Sequence, residues 1–171
     1  MKKTILILGL ILIGILLIGC IEQPNLTEEV ANCQSLPSDL SIEMNQNNCL
    51  TYLATDLKNP QICELIEEPK DNNEFKQLEI DWCYSQVAPA QKESKTCNLI
   101  SDQYYKDICY SQIAHSTKNV NLCNLISTQD EKDLCYSELA FINNDVNLCN
   151  EIEDQSREQL CIYNIDYFQD E

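Results

Sequence analysis

Glycine is missing from almost the whole chain. The 171 residues contain only Gly9, Gly14 and Gly19, and none follows position 19. A β-rich domain of this size needs glycine at hairpin turns and bulges, where φ is positive, and only Asn and Asp are at hand as partial substitutes. That absence argues against an antiparallel β fold and for an all-α one. Histidine is reduced to His115, with no Gly-x-Ser-x-Gly elbow or comparable nucleophile motif beside it. Cysteine is plentiful, yet no two stand at Cys-x(2 to 4)-Cys spacing. Zinc sites use that spacing to aim two thiolates at one ion, and thiol oxidoreductases use Cys-x-x-Cys. Neither a thiolate metal site nor redox catalysis is expected, and no cofactor is. Basic residues are scarce too: 11 Lys and Arg face 28 Asp and Glu, for a net charge of -17. Such a surface repels phosphate backbones, which argues against nucleic acid as a partner.

The three glycines sit in a segment of different character. Lys2 and Lys3 precede an unbroken apolar or small run from Ile5 to Gly19. This is a charged n-region followed by an h-region too short to span a hydrocarbon core of about 30 Å comfortably. Residues 1–19 therefore read as an export signal. The run closes on Leu17-Ile18-Gly19-Cys20, and a small residue before a cysteine at that place resembles the lipobox of prokaryotic lipoproteins. The resemblance is confined to residues 1–20. It implies that Cys20 receives a diacylglycerol thioether and becomes the first residue of the mature chain, on the extracytoplasmic face of the membrane. Removing Lys2 and Lys3 with the signal leaves 28 acids against 9 basic residues, a net charge of -19. So acidic a surface does not adsorb to anionic lipid by charge, and attachment falls to the lipid at Cys20, a two-chain anchor of the kind that holds stably. Residues 20–32 are polar, with Pro24, and are expected to form a lipidated tether ahead of a folded domain over residues 33–168.

That domain is a repeat. After Cys20 come ten cysteines laid out as five copies of a two-cysteine unit. The first half-unit reads Cys-x-x-Leu/Ile, at Cys33, Cys63, Cys97, Cys123 and Cys149. The second reads Cys-Tyr-Ser-x-apolar-Ala at Cys83, Cys109 and Cys135, is looser at Cys49, and is degraded at Cys161. In the second half-unit Ile108, Cys109, Ile113 and Ala114 recur at helical spacing, as do Leu134, Cys135, Leu139 and Ala140, with Asp107, Ser111 and Gln112 on the other face. The first half-unit predicts a shorter helix that turns Leu122, Leu125 and Ile126 toward its longer partner. Asn59, Asn119 and Asp145, four residues before the cysteine, suit an N-cap, and Pro60 suits the first helical position. Ser156-Arg157-Glu158-Gln159 has capping-box spacing and is expected to start the last long helix. Each unit is thus a helical hairpin.

Thirteen residues separate each second-half cysteine from the next first-half cysteine, without exception. Within units the interval varies over fifteen, nineteen, eleven, eleven and eleven. An invariant segment suggests rigid packing, and variable ones suggest loops that a covalent bond closes at any length. The longest interval holds a polar insertion over residues 67–73. Pairing inside units joins Cys33 with Cys49, Cys63 with Cys83, Cys97 with Cys109, Cys123 with Cys135 and Cys149 with Cys161, and leaves nothing over. The rival register, across the invariant segment, strands Cys33 and Cys161, so within-unit pairing is expected, because an extracellular chain rarely leaves spare thiols; sequence alone does not fix connectivity. Thin helix pairs bury little apolar surface, and each disulfide closing an eleven-residue loop contributes on the order of 2 to 3 kcal/mol.

Three further features invite function. Tyr84, Tyr110 and Tyr136 recur beside the second-half cysteine, either as core residues packed on Ala88, Ala114 and Ala140 or as an exposed aromatic ladder for a ligand. The acidic segments 143–147 and 151–154 lack the oxygen spacing and glycine of an EF-hand loop and read as caps and a solvated face. His115 reads as an ordinary residue near a helix end. The expectation is a membrane-anchored, non-enzymatic binding or structural module with a protein partner in the cell envelope. The alternative is a small extracytoplasmic enzyme or metal-binding carrier that uses His115 with scattered acids.

Overall fold

The computed structural model describes residues 25–37, 45–67 and 73–169. The segment expected to be an export signal and Cys20 lie outside the described residues, as does most of the polar insertion. Six α-helices alternate with four short 3₁₀ helices, and no strand occurs among the described residues. We label the α-helices α1 Leu26–Gln34, α2 Gln46–Asp56, α3 Asn73–Gln91, α4 Gln103–Thr117, α5 Gln129–Asn143 and α6 Gln155–Gln169. The 3₁₀ helices are η1 Pro60–Leu65, η2 Ser94–Leu99, η3 Val120–Leu125 and η4 Val146–Glu151. Helices α2 to α6 pack side by side in chain order, and each 3₁₀ helix wedges between the long helix before it and the one after. The result is an all-α stack of five stapled units.

Helix α1 begins inside the segment expected to be a tether. Asn25 accepts from the Thr27 amide, Glu28 and Glu29 complement the positive end of the helix dipole, and Val30 packs against the core. The first half-units of the other four copies are 3₁₀ rather than α-helical. At three residues per turn Cys123 and Ile126 share the inward face, and Leu125 falls outside it. Leu122 and Ile126 are buried, whereas Leu125 is 49% exposed, against the expectation that all three face the long helix. The isoleucine three residues after the cysteine is buried in every 3₁₀ unit, as Ile66, Ile100, Ile126 and Ile152. On the long helices Ile113, Ala114, Leu139 and Ala140 are buried as the spacing predicts, while Leu134 is 41% exposed. Asp107, expected on the solvated face, is buried.

The invariant thirteen-residue segment has a physical origin. Lys58, Lys92, Lys118 and Asn144, each nine residues after the second-half cysteine, adopt left-handed backbone with φ of 52°, 59°, 55° and 53°. The next amide, of Asn59, Glu93, Asn119 or Asp145, then reaches back to the carbonyl of Ala54, Ala88, Ala114 or Ala140 at 2.8, 3.4, 3.0 and 2.9 Å. This is the Schellman ending, made here without glycine. Asn59, Asn119 and Asp145 at once cap the following 3₁₀ helix, accepting from Gln61, Asn121 and Asn147. A reversal with both ends fixed leaves no room for an inserted residue. The last long helix starts one residue before the expected Ser156: Asp154 is its cap, accepting from the Arg157 amide at 2.8 Å.

Candidate functional site

All ten cysteines of the described residues are bonded within their units, as Cys33–Cys49, Cys63–Cys83, Cys97–Cys109, Cys123–Cys135 and Cys149–Cys161. Their Cα atoms lie 5.3 to 5.8 Å apart. Each bond ties a first half-unit to the long helix that follows it, so covalent links run inside units and none crosses between them. Besides helix packing, three of the four junctions between units carry a buried carboxylate; at the first junction the same position is Asn47.

Asp81, Asp107 and Asp133 stand two residues before the second-half cysteine and are at most 1% exposed. Asp81 Oδ2 accepts from the amides of Ser101 and Asp102 at 3.1 and 2.7 Å. Asp107 accepts from Ser127 and Thr128 at 3.0 and 2.9 Å, and Asp133 from Glu153 and Asp154 at 3.1 and 2.9 Å. In each case the donating amides precede the first turn of the next long helix, twenty and twenty-one residues on. A glutamine four residues earlier braces the carboxylate: Gln77, Gln103 and Gln129 donate at 2.8, 2.7 and 2.7 Å. The carboxylate thus caps the following helix from the preceding unit, which matters most at α5, where Thr128 makes no side-chain cap of its own. Burial pushes the Asp107 and Asp133 carboxyls up, but the amide bonds and the glutamine outweigh it, and both are held below the ordinary carboxylate range.

The recurring tyrosines are core residues, 6%, 5% and 3% exposed at Tyr84, Tyr110 and Tyr136. Their hydroxyls reach across the disulfide rather than along their own helix. Tyr110 and Tyr136 donate to Asn98 and Asn124 at 2.7 and 2.8 Å, and Tyr84 approaches Glu64 at 3.5 Å. Burial raises all three phenols above their usual range. In the degraded fifth copy Gln159 replaces the buried aspartate, Ile162 the tyrosine and Asp166 the alanine, so neither the carboxylate cap nor the tyrosine bridge recurs there.

Among the described residues several recesses open between the helices, including two of about 290 and 370 Å³ around Trp82 and around Cys33–Cys49. Between α2 and α3 lies a cavity of about 140 Å³ lined by Thr51, Tyr52, Thr55, Trp82 and Gln86. The Thr51 hydroxyl there is buried and has no hydrogen-bond partner among the described residues. Toward the other end a cleft of about 470 Å³ is lined by His115, Ser137, Glu138, Phe141, Ile142, Cys161, Asn164 and Ile165. His115 Nε2 lies 2.6 Å from Glu138 Oε2, a contact between α4 and α5 that lacks the alignment of a hydrogen bond. The imidazole is 28% exposed and the carboxylate 43%. His115 is therefore brought to a cleft with one acid, and not to the scattered acids of the enzyme or carrier alternative. Among the described residues no group of three or more His, Cys, Asp and Glu is placed to hold a metal ion. Asp145 and Asp154, from the acidic segments, serve as helix caps. No helix among the described residues is long and apolar enough to cross a membrane. Comparison of the chain with protein-family models, with curated proteins and with solved structures finds no match.

The buried aspartates and the cleft are what the sequence reading missed. For the aspartates a signal was there: Gln-x-x-x-Asp-x-Cys occurs at Gln77, Gln103 and Gln129, with the same offset each time. The cleft combines three helices and has no local signature.

Proposed function

We propose that this chain is a prokaryotic cell-envelope lipoprotein, anchored through a diacylglyceryl group on Cys20, whose five-unit ectodomain serves as a binding or structural module rather than an enzyme. The observation that carries the reading is the cysteine balance. Ten cysteines are consumed by five disulfides, which suit an oxidising, extracytoplasmic compartment, and the eleventh is Cys20, at the end of an export-type segment. A stack of side-by-side helices offers an extended face, the architecture that repeat proteins use for recognition. Its partner is then another component of the envelope, reached while the lipid holds the chain at the membrane. Fractionation of cells expressing Cys20→Ala tests the anchor. The variant is expected in the soluble fraction, or retained as an unprocessed precursor. A variant that loses its signal yet stays with the membrane overturns the lipoprotein reading.

A further inference from the structure

The cleft between α4, α5 and α6 has the makings of a ligand site, and its chemistry is one-sided. Its about 470 Å³ falls within the size of small-ligand pockets, as does the about 370 Å³ recess around Cys33–Cys49, but only the former brings an acid and a histidine together. Phe141, Ile142 and Ile165 form an apolar wall. Ser137 and Glu138 line it one helical turn before Phe141 and Ile142, and Asn164 lines it next to Ile165. Among the described residues neither the half-buried Ser137 hydroxyl nor the exposed Asn164 amide has a hydrogen-bond partner within the protein, so both can donate to a ligand. Glu138 is the only acid in the lining, and His115 approaches just one of its two oxygens. The other keeps its capacity to accept. Around the cleft lies a chain of net charge -17, whose field draws cations and disfavours anions.

We propose that this cleft binds a primary ammonium on a short alkyl stem. The ammonium pairs with Glu138 and donates to Ser137 and Asn164, while the methylenes lie on the wall of Phe141, Ile142 and Ile165. The stem-and-head division is that of a lysine side chain, which buries its methylenes and keeps its charge on polar groups. The proposal rests on the binding-module reading and names its ligand class. His115 lies against one carboxylate oxygen of Glu138 and leaves the other to the ammonium.

The test is an NMR titration of the isotope-labelled chain in non-ionic detergent. The probes are N-acetyl-lysine N′-methylamide, butylammonium, and N-acetyl-norleucine N′-methylamide as the uncharged isostere. Both amines are expected to shift the amides of Glu138, Phe141, Asn164 and Ile165 saturably, and the norleucine compound to leave them in place. Glu138→Gln should weaken amine binding about fivefold, the scale of a half-exposed ion pair, without altering the protein's other resonances. Binding by the blocked lysine as strong as that of butylammonium assigns the site to a lysine side chain, and binding by butylammonium alone assigns it to a free amine. The ammonium proposal is overturned if neither amine shifts the cleft at saturating concentration, if the norleucine compound binds equally well, or if Glu138→Gln changes nothing. Any of these leaves the membrane anchor intact, because fractionation reads that separately.

Discussion

Replacing Asp107 by alanine should loosen the unit that follows it, not the one it belongs to. The side chain sits in unit three but holds the amides of Ser127 and Thr128, at the start of α5 in unit four, at 3.0 and 2.9 Å. A hydrogen bond to a charged group contributes roughly 1.5 to 3 kcal/mol, so two lost bonds set an upper bound near 6 kcal/mol. The true cost is smaller because Ser127 and Thr128 are themselves exposed, and water can reach the freed amides. We expect about 3 kcal/mol from Asp107→Ala. Asp107→Asn keeps one oxygen for Ser127 and Gln103 but sets an NH2 group against the Thr128 amide, and should cost about half as much. Native-state amide exchange is the assay, because a stacked array does not unfold in one step and a single unfolding free energy misrepresents it. Protection should fall at Ser127, Thr128 and the first turns of α5, and should hold in α2 and α3. A loss below about 0.5 kcal/mol, or one spread evenly over all five units, refutes the claim that this carboxylate is a joint between neighbours.

The same joints make stability acid-sensitive. Asp107 and Asp133 have folded pKa values below their unfolded ones. Their contribution is therefore complete above the ordinary carboxylate pKa of about 3.9, and disappears as pH falls through the lower folded value. A urea midpoint followed from pH 6 to pH 2 should drop more steeply for the wild type than for Asp107→Asn/Asp133→Asn, and parallel curves contradict this. Lys118→Gly should stabilise the chain by about 1 kcal/mol, since a side chain at φ 55° is strained where glycine is not, while Asn144→Gly should gain less because Asn tolerates that region. A lower melting temperature for Lys118→Gly counts against the left-handed ending. Removing the terminal disulfide with Cys149→Ser/Cys161→Ser should release protection in α6 and η4 and spare units two to four. The internal pair Cys97→Ser/Cys109→Ser should damage both flanks, and equal, chain-wide loss in the two variants contradicts a modular stack.

Much of this fold is legible in the spelling of the repeat. The lack of glycine after position 19 leads to helices, and Asn59, Asn119 and Asp145 are caps where a polar oxygen before an apolar run places them. The tyrosines are buried, one of the two readings their position allows. Within-unit pairing of the cysteines is the register that uses them all. Other features run against local expectation for definite reasons. Asp107 reads as a solvent-facing residue because an acid on a helix is normally hydrated, and its partners lie twenty residues away. Lysine at a left-handed position has no propensity signal, since glycine and asparagine are the residues that favour it. Leu125 faces solvent because the short helix turns every three residues, a difference that six residues of sequence do not reveal. The cleft is beyond local reading altogether: His115, Glu138 and Asn164 come from three helices in three successive units.

Ten cysteines staple the stack, and the proposed anchor takes the eleventh. Mass spectrometry of the non-reduced protein purified from membranes tests this assignment in one measurement. The mature chain should begin at Cys20 with the added mass of a diacylglyceryl group, and its digest should contain Cys123 joined to Cys135 and Cys149 to Cys161, with no free thiol. An unmodified or disulfide-bonded Cys20, or a peptide joining Cys135 to Cys149, contradicts it.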